Sequence, residues 1–565
     1  MSIGPVTVFA HAIAQGASWD LDLVTRISNA TSIEGRILTE MDYISGRGMN
    51  AGSALSCDGG PLANSAHDPR WGRISETYGE DPFHIQAIGV AILQALQNRV
   101  PVPGGKPTDF YYATRQVTRH FIGYHGASDD IKTPAFTATN RSLADSYFPT
   151  YSAFMRPDAG AADGIMCAMT TMNGDASCAS HWLLNDTLRV AWKSDALIQT
   201  DCCDSLSSMV NAHDVYDPKT KKNVSTYQEA LSMSVDNGLQ VYFGFDGGAI
   251  RPDFMYNLGN GTTTLQQLED AAARILLSQM RLGLFAGAEY AAGTFPWIVG
   301  NVSTVPGATI PMSMLDSDAH RTLARESAAK STVLLKNAGG TLPFTALKGQ
   351  NVAVIGPFAH CGANATEAKT PLKCSGRGCN NCYLHSYNGI PSKITSVWDA
   401  IKGAVGPSAT YALGANFTCL NKDQHRGAPG FCTASGTPGG DAIASAVAAA
   451  KAAEVVVIVL GLSSRVEAEG NDRRNMTLPQ PQTALLAAVL AAKLQTQKII
   501  AIVVSAGGVD LGDAARAKLD AIVWAPYGGE EAGTGLLDVL DGTVVPSAKL
   551  PLTVYKQSWA DTMNW

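Results

Sequence analysis

The stretch Ala196-Leu-Ile-Gln-Thr200, followed by Asp201-Cys-Cys-Asp204, places a carboxylate where a predicted strand ends. A short, largely apolar run of this kind predicts a buried strand, and a helix-like stretch follows it. Asp201 is therefore expected at the mouth of a barrel or at the edge of a sheet, where (β/α)₈ barrels carry their catalytic side chains. A strand-end aspartate can also serve as a helix cap or a loop acid, but the sequence upstream favours the catalytic interpretation.

The length and composition of the chain indicate two domains with large buried cores. Its 565 residues exceed the size at which a single core stops growing. Apolar residues make up 45% of the chain and charged residues only 16%, which suits extensive buried surface. The net charge of -7 argues against a nucleic-acid partner. Because no apolar run is long enough for a transmembrane helix, we expect no membrane partner.

Glycosylation sequons and cysteines indicate a secreted protein. The nine Asn-x-Ser/Thr sequons suit a secretory route, and they begin at Asn29, Asn140, Asn185, Asn223, Asn260, Asn301, Asn364, Asn416 and Asn475. The 11 cysteines include a group crowded into one loop-like stretch, namely Cys361, Cys374, Cys379 and Cys382. Zinc ligation is one interpretation of this group, but we favour disulfides in an oxidising compartment and predict no metal.

The amino-terminal residues do not resemble a leader peptide. Residues 1–10 lack a basic region and have the pattern of the interior of a fold. We therefore expect that the chain begins partway into its first domain and that a native signal peptide is missing from it.

The hydrophobic pattern divides the chain into two α/β units. Residues 1–290 alternate apolar runs with amphipathic stretches, which predicts a parallel sheet, closed as a barrel or open. Residues 291–335 hold Gly, Pro, Ser and Thr and are predicted to be a linker. Residues 336–565 contain near-continuous Val/Ile runs, typical of a parallel sheet covered on both faces. The strands predicted in this second unit span 351–355, 455–460, 499–504 and 521–524.

Two loops offer candidate binding and catalytic groups. Asp68-Pro-Arg-Trp-Gly-Arg73, followed by Glu76-Thr-Tyr-Gly-Glu-Asp-Pro82, combines guanidinium groups and an aromatic face, which suit sugar hydroxyls and the apolar face of a sugar ring. An ion-paired structural loop is the alternative. In the second unit, Glu467-Ala-Glu469-Gly-Asn-Asp472 holds three acids, which suits a general acid because clustered carboxylates raise one another's pKa. An acidic surface loop is the alternative there.

These strings resemble glycoside hydrolase family 3, in its β-xylosidase branch. The resemblance rests on Ile165-Met-Cys-Ala168, Met172-Asn-Gly174, Arg119-His120-Phe121-Ile-Gly-Tyr124 and the loops quoted above. It implies a TIM-type (β/α)₈-like barrel, incomplete at its amino-terminal side, followed by an α/β sandwich domain. It also implies catalytic and sugar-binding positions: Asp201 as nucleophile, Glu467 as acid/base with Glu469 in reserve, and Arg73, Arg119, His120, Met169, Cys202 and Glu469 in the substrate site.

The chain departs from the family pattern at two positions. Arg119 stands where the family usually has lysine, and a planar guanidinium is not equivalent to a compact ammonium. Met169 stands where a tyrosine is common, and a thioether cannot donate a hydrogen bond. Families of this type also carry a sugar-binding acid upstream of the sequence where this chain starts, so we expect an open sheet edge and an incomplete sugar pocket.

The resemblance implies a retaining exo-glycosidase that removes terminal β-xylosyl residues from xylo-oligosaccharides without a cofactor. Cys202 together with Glu467-Ala-Glu469 points to β-xylosidase, with α-arabinofuranosidase as a further option. Two alternatives stay open: a β-glucosidase of the same family, and a non-catalytic carbohydrate-binding protein on the same fold, which the two departures would suit. The sequence does not give the oligomeric state.

Overall fold

The computed structural model describes residues 5–44, 55–57, 60–106, 109–124, 126, 135–201, 205–212, 215–242, 250–301, 305, 307–344, 349–360, 383–415 and 440–562. The strands of its first half are β1 (Ser56–Cys57), β2 (Val100–Pro101), β3 (Phe110–Tyr111), β4 (Arg115–Phe121), β5 (Ala135–Phe136), β6 (Gly164–Cys167), β7 (Thr171–Met172), β8 (Asp175–Ala176), β9 (Leu197–Thr200), β10 (Tyr216–Asp217) and β11 (Lys222–Asn223). The α-helices are α1 (Ala12–Ser18), α2 (Leu21–Ile44), α3 (Pro82–Gln97), α4 (Asn140–Ser142), α5 (Phe148–Met155), α6 (Ser205–Ala212), α7 (Tyr227–Asp236), α8 (Ile250–Gly259), α9 (Leu265–Arg281) and α10 (Gly287–Ala291), and a π-helix spans Trp182–Ala191 before β9.

A parallel sheet in the order β1-β4-β6-β9 forms the centre of the first half. The residue pairs Phe121–Cys167 and Cys167–Thr200 align the carboxyl ends of three strands at one edge. Val241 extends the sheet beyond β9 by a parallel bridge to Gln199. Over the residues that the structure describes, this sheet is open, so closure into a (β/α)₈ barrel stays a prediction.

The amphipathic stretches of the first unit predict helices at 81–97 and 265–284, and both form where local signals start and stop them. The helix predicted at 81–97 is α3, whose first turn has Pro82 and the side chain of Asp81, which accepts a hydrogen bond from the His84 amide at 2.9 Å. The helix predicted at 265–284 ends earlier, at Arg281, because Gly283 adopts a φ of 80°. A capping box at Thr264 and Gln267 starts that helix.

The second half is an α/β sandwich. Its strands are β12 (Val333–Asn337), β13 (Val352–Ile355), β14 (Ala409–Ala412), β15 (Val455–Gly461), β16 (Lys498–Val504) and β17 (Ala521–Trp524). Its helices are α11 (Asp318–Lys330), α12 (Val397–Val405), α13 (Gly440–Lys451), α14 (Gln480–Ala491), α15 (Asp513–Lys518), α16 (Ala532–Leu540) and α17 (Gln557–Ala560). The four strands predicted here are confirmed as β13, β15, β16 and β17.

The strand order of this sheet is β12-β17-β16-β15-β13-β14, parallel throughout except for β12. Side chains alternate between two apolar layers, as the continuous Val/Ile runs predict. Val457 and Ile500 face the layer of α12 and α16, whereas Val456 and Ile458 face the layer of α13 and α14. Strand β12 starts within the range predicted as a linker, and the division at 291–335 stays a prediction.

The two halves share a buried polar contact near the start of the described chain. The Val8 amide donates to Glu530 Oε2 at 3.0 Å, and Arg321 Nη1 lies 3.2 Å from Glu530 Oε1. Burial raises the pKa of Glu530 to about 8, because the Val8 amide and Arg321 only partly offset the loss of water and Asp316 adds repulsion. The folded protein therefore binds a proton at Glu530 that the unfolded chain releases near 4.5.

This difference predicts a pH-dependent stability. As pH rises from about 4.5 towards about 8, Glu530 should lower the free energy of unfolding by about 1.4 kcal/mol per pH unit, because the native state then binds more protons than the unfolded one. Glu530→Gln is expected to remove that slope. Urea denaturation at a series of pH values measures it, and near pH 4.5 the two proteins should be equally stable. A slope that is unchanged in the variant would contradict the prediction.

None of the helices in the described ranges has the length and apolar character needed to cross a membrane.

Candidate active site

The carboxyl ends of β4, β6 and β9 bring together the site residues predicted in the first half. Arg119 and His120 lie near the end of β4, Met169 follows β6, and Asp201 follows β9. Because these strands are parallel neighbours, their carboxyl ends meet at one edge of the sheet. Cys202 lies outside the described residues.

His120 and Asp201 form a buried pair. His120 Nε2 lies 3.4 Å from Asp201 Oδ2, and these residues are only 1% and 6% exposed. Asn64 fixes the imidazole, since its Oδ1 accepts from the His120 amide at 2.8 Å and lies 3.0 Å from His120 Nδ1. Nδ1 faces Asn64 Oδ1 and Nε2 faces the Asp201 carboxylate, and an imidazolium ring, with a proton on each nitrogen, donates to both.

Arg73 and Arg119 converge on Glu76. Arg73 donates from Nε and Nη2 to the two oxygens of Glu76 at 2.7 and 2.8 Å, and Arg119 Nη2 donates to Glu76 Oε2 at 2.8 Å. Burial on its own would raise the pKa of Glu76, but the two guanidinium groups outweigh it and hold the pKa at about 2. Glu76 is thus an anion that fixes the orientation of both guanidinium groups.

Two residues of the second half complete this cluster. Arg73 Nη1 donates to Glu469 Oε1 at 3.2 Å, and the Tyr387 hydroxyl donates to Glu469 Oε2. The guanidinium carbons of Arg73 and Arg119 lie 5.7 and 5.2 Å from the centroid of the Tyr387 ring. We refer to Arg73, Glu76, Arg119, Tyr387 and Glu469 as the arginine–tyrosine cluster.

The two candidate acids of the second half have different surroundings. The Glu467 side chain is 0% exposed, and its oxygens accept from the Ala506 amide at 2.6 Å, the Gly507 amide at 3.2 Å and the Tyr527 hydroxyl at 2.6 Å. The Glu469 side chain is 33% exposed. Of these two acids, Glu469 is therefore the one that contacts Arg73 and Tyr387 and also has access to water.

Backbone contacts bind this loop to the first half. The Gly72 amide donates to Asp472 Oδ1 at 2.7 Å, and the Arg473 amide donates to the Arg70 carbonyl at 2.7 Å. A Cβ on Gly72 would lie 2.2 Å from the Asn471 carbonyl oxygen, so only glycine fits there. The candidate site thus lies between the two halves of the chain, a common location for ligand sites.

Sequence reasoning missed Tyr387, and it quoted Glu76 without giving it a role. Tyr387 follows Tyr383-Leu-His-Ser386, where no motif marks an aromatic residue as part of a site. The structure identifies Tyr387 as a candidate site residue because 58% of it is exposed to solvent. A solvent-exposed aromatic ring beside two arginines suits the apolar face of a sugar. Among the described residues, no group of three His, Cys, Asp or Glu side chains could hold a metal ion.

A disulfide closes the loop that carries Met169. Cys167 at the end of β6 is bonded to Cys178, and the loop between them contains Met169 and Thr170. Thr170 Oγ1 donates to the Ile122 carbonyl at 2.7 Å, which joins the loop to the chain just after His120. The cysteine cluster predicted at 361–382 lies outside the described residues.

Removing this disulfide is expected to destabilise the protein. Cys167→Ala combined with Cys178→Ala should lower the free energy of unfolding by about 2–4 kcal/mol, because the unfolded chain regains the freedom of the closed loop. Urea denaturation of the oxidised protein and of the double variant measures the difference. Under reducing conditions the two proteins should converge, and equal stability under oxidising conditions would contradict the expectation.

Comparisons with known proteins cover both halves. The model for the glycosyl hydrolase family 3 N terminal domain matches residues 1–277, and that for the family 3 C-terminal domain matches residues 332–563. Beta-D-xylosidase 3 of Arabidopsis thaliana is 29% identical over 560 residues, which is 98% of this chain and 62% of that protein. The chain therefore spans less than two thirds of the length of this relative.

Solved structures show the same fold. A GH3 exo-beta-xylosidase (XlnD), in complex with a xylobiose aziridine activity based probe, has a TM-score of 0.76 at 23% identity and covers 99% of this chain and 62% of its own. A beta-glucosidase involved in saponin metabolism from intestinal bacteria has a TM-score of 0.77 at 23% identity, with coverage of 99% and 69%. On the matches of its two halves, this chain belongs to glycosyl hydrolase family 3.

Proposed function

We propose that the protein is a retaining exo-glycosidase that hydrolyses terminal β-xylosyl residues of xylo-oligosaccharides. The observation that carries the proposal is the His120–Asp201 pair at the strand ends, beside an arginine–tyrosine cluster completed by Glu469 from the second half. The xylosidase relatives and the structural likeness to an exo-beta-xylosidase support this substrate class.

In the first step, an Asp201 oxygen bonds to the anomeric carbon while the glycosidic C–O bond breaks. The leaving oxygen takes a proton from a carboxylic acid of the Glu467-Ala-Glu469 segment. In the second step, the same residue takes a proton from water, the water oxygen bonds to the anomeric carbon, and Asp201 departs. Each step inverts the configuration at the anomeric carbon, so the product retains the configuration of the substrate. In retaining enzymes the two catalytic carboxyl groups lie about 5–5.5 Å apart.

The geometry favours Glu469 as the proton donor over Glu467, which the sequence put first. A general acid must reach the leaving oxygen and exchange its proton with water. Glu469 is partly exposed and touches the cluster, whereas the Glu467 oxygens are enclosed by Ala506, Gly507 and Tyr527. We therefore assign Glu467 a role in supporting the loop.

The remaining site residues differ in what they offer a sugar. Arg119, whose side chain is 12% exposed, offers planar donors to ring hydroxyls, and the Tyr387 face suits stacking on the ring. The Arg73 side chain is only 2% exposed and donates from Nε, Nη1 and Nη2 to Glu76 and Glu469, so it orients those two acids. Met169 has a thioether where the family pattern has a tyrosine hydroxyl, so one hydrogen-bond donor of that pattern is replaced by an apolar group.

Hydrolysis of matched aryl β-xyloside, α-arabinofuranoside and β-glucoside tests the proposal. We expect the xyloside to have the highest kcat/KM and NMR to show the β-anomer as the first product. A higher kcat/KM on the glucoside would indicate the β-glucosidase alternative, to which the bacterial structural neighbour corresponds. Binding of xylose without turnover of any of the three would indicate the non-catalytic alternative.

We also propose that the protein is secreted. The Cys167–Cys178 disulfide supports an oxidising compartment. Four sequon asparagines have exposed side chains that a glycan could reach, namely Asn140, Asn223, Asn260 and Asn301. Enzymatic deglycosylation of protein secreted by a eukaryotic host is expected to lower its apparent mass, and an unchanged mass would contradict the glycosylated form.

A further inference from the structure

His11 joins two loops of the candidate active site. Its Nδ1 lies 2.5 Å from the carbonyl oxygen of Ser75 in the first half, and its Nε2 lies 2.9 Å from the carbonyl oxygen of Ser386 in the second half. The His11 amide donates to the Tyr527 carbonyl at 2.8 Å, so the backbone of this residue is also fixed. One partly buried imidazole thus spans the boundary between the two halves.

Both of its partners adjoin residues of the site. Ser75 precedes Glu76, the anion that aims Arg73 and Arg119. Ser386 lies between His385, whose Nε2 is 2.6 Å from the Glu467 carbonyl oxygen, and Tyr387, whose hydroxyl donates to Glu469. A shift of Ser386 would therefore move the segment that carries both candidate acids relative to the two arginines.

The number of ring protons decides how many of these contacts are favourable. Both partners of the His11 ring are carbonyl oxygens, which only accept hydrogen bonds. A neutral imidazole has one N–H and satisfies one carbonyl, while its other nitrogen places a lone pair against the second carbonyl oxygen. An imidazolium ring has two N–H groups and donates to both.

The titratable groups placed against His11 are Glu76 in the Gly72–Glu76 turn, His385 in the opposite loop and Tyr527 after β17. The next charged groups are one contact further away, because Arg73 pairs with Glu76 and Glu467 accepts from the Tyr527 hydroxyl. The amino-terminal end of α1 follows His11 directly and opposes a positive charge. Electrostatic attraction to His11 adds to that of Arg73 and Arg119 in lowering the pKa of Glu76.

The nearest aromatic neighbours stay neutral in the working range. Burial, followed by repulsion from His11, lowers the pKa of His385 to about 3. Burial raises the pKa of Tyr527 well above its ordinary value.

We infer that His11 is a positioning residue, whose doubly protonated ring holds the Ser386–Tyr387 loop against the Glu76 turn and so sets the place of the acid segment relative to the two arginines. Loss of one ring proton releases one of the two loops. The inference rests on the proposed function only for its kinetic consequence, because the hydrogen bonds can be observed without turnover.

The first test is NMR of the unmodified protein labelled with ¹⁵N-histidine, with the His11 signals assigned by their absence in His11→Gln. We expect two ring N–H protons on His11, both shifted downfield by hydrogen bonding, and the loss of one of them as pH rises. A ring with a single N–H at every pH at which the protein is folded would overturn the inference.

The second test compares the kinetics of wild type, His11→Gln and His84→Gln. A glutamine at position 11 donates to one carbonyl at any pH. We expect kcat/KM for an alkyl xyloside to fall by about 10- to 100-fold, with a smaller loss on an aryl xyloside that needs less protonation of its leaving group. Any decline in wild-type kcat/KM that follows the loss of one His11 ring proton in the NMR titration should be absent in His11→Gln.

His84→Gln is the matched control, because within the described residues this buried imidazole contacts one carbonyl, that of Gly16, at 2.9 Å. The His84→Gln protein should be less stable than wild type, but its kcat/KM should keep the wild-type dependence on pH and on the leaving group. If His11→Gln behaves like His84→Gln in both respects, the inference is overturned. If no glycoside is hydrolysed by folded protein, the proposed function fails, and the count of ring N–H protons still decides whether the contact exists.

Discussion

Asp201→Asn should lower kcat for an aryl β-xyloside by on the order of 10⁴-fold or more. An amide has nearly the size and shape of the carboxylate, so the buried side chain still fits beside His120. It is too weak a nucleophile to form the glycosyl ester, and it carries no charge to stabilise the developing oxocarbenium ion. The loss should therefore appear mainly in kcat, with xylose binding, measured by calorimetry, largely retained.

Asp163→Asn is the matched control for this experiment. Asp163 is also buried, but it precedes β6 at the opposite edge of the same sheet, where Arg281 Nη1 donates to it at 2.7 Å. Removing one partner of a buried ion pair costs about 3–5 kcal/mol of stability. We expect this variant to melt earlier and to keep its kcat per folded molecule, because the amino-terminal edge of such sheets serves stability.

A covalent intermediate gives a second, independent readout. Wild-type protein quenched during turnover of a slow xyloside should gain the mass of one pentosyl residue on the peptide that contains Asp201. The Asp201→Asn protein should gain none. Labelling of a different carboxylate, or full activity of Asp201→Asn, would remove Asp201 from the nucleophile role.

The sequence was sufficient to place Asp201 because the signal there is local. A four-residue buried strand, β9, ends immediately before it, and parallel neighbours deliver His120 and Met169 to the same edge. The Val/Ile runs of β13, β15, β16 and β17 were predictable for the same reason, since strands covered on both faces are apolar throughout. Two-residue strands such as β5 and β7 carry no such periodic signal.

Contacts between distant segments could not be predicted in this way. Tyr387 reaches Arg73, and His11 reaches Ser75 and Ser386, only through tertiary packing. The choice between Glu467 and Glu469 as the acid/base also depends on tertiary structure. Both acids lie in one turn-rich loop, and only the packing of Ala506, Gly507 and Tyr527 around one of them distinguishes their surroundings.

Replacing each of these two glutamates by glutamine is expected to affect different properties, the rate of proton transfer for Glu469 and the stability of the fold for Glu467. Glu469→Gln should lower kcat/KM for alkyl xylosides and xylobiose by about 10²–10⁴-fold, because the leaving oxygen then departs without a proton. The leaving group of a dinitrophenyl xyloside departs as a stable dinitrophenolate anion, so this substrate should form the glycosyl-enzyme at an almost normal rate. Its turnover should then stall at the second step, where no base activates water, and added azide should restore the rate by attacking without base assistance.

Glu467→Gln should act on stability instead. Its new NH₂ group would face the Ala506 or Gly507 amide, so a donor would meet a donor around a fully buried side chain, at a cost of about 1–3 kcal/mol. We expect a lower melting temperature, a similar loss of rate on good and poor leaving groups, and no rescue by azide. If azide rescues Glu467→Gln and not Glu469→Gln, the acid/base is Glu467, and the cleft must then open around it during turnover, because its side chain is fully enclosed in the free protein.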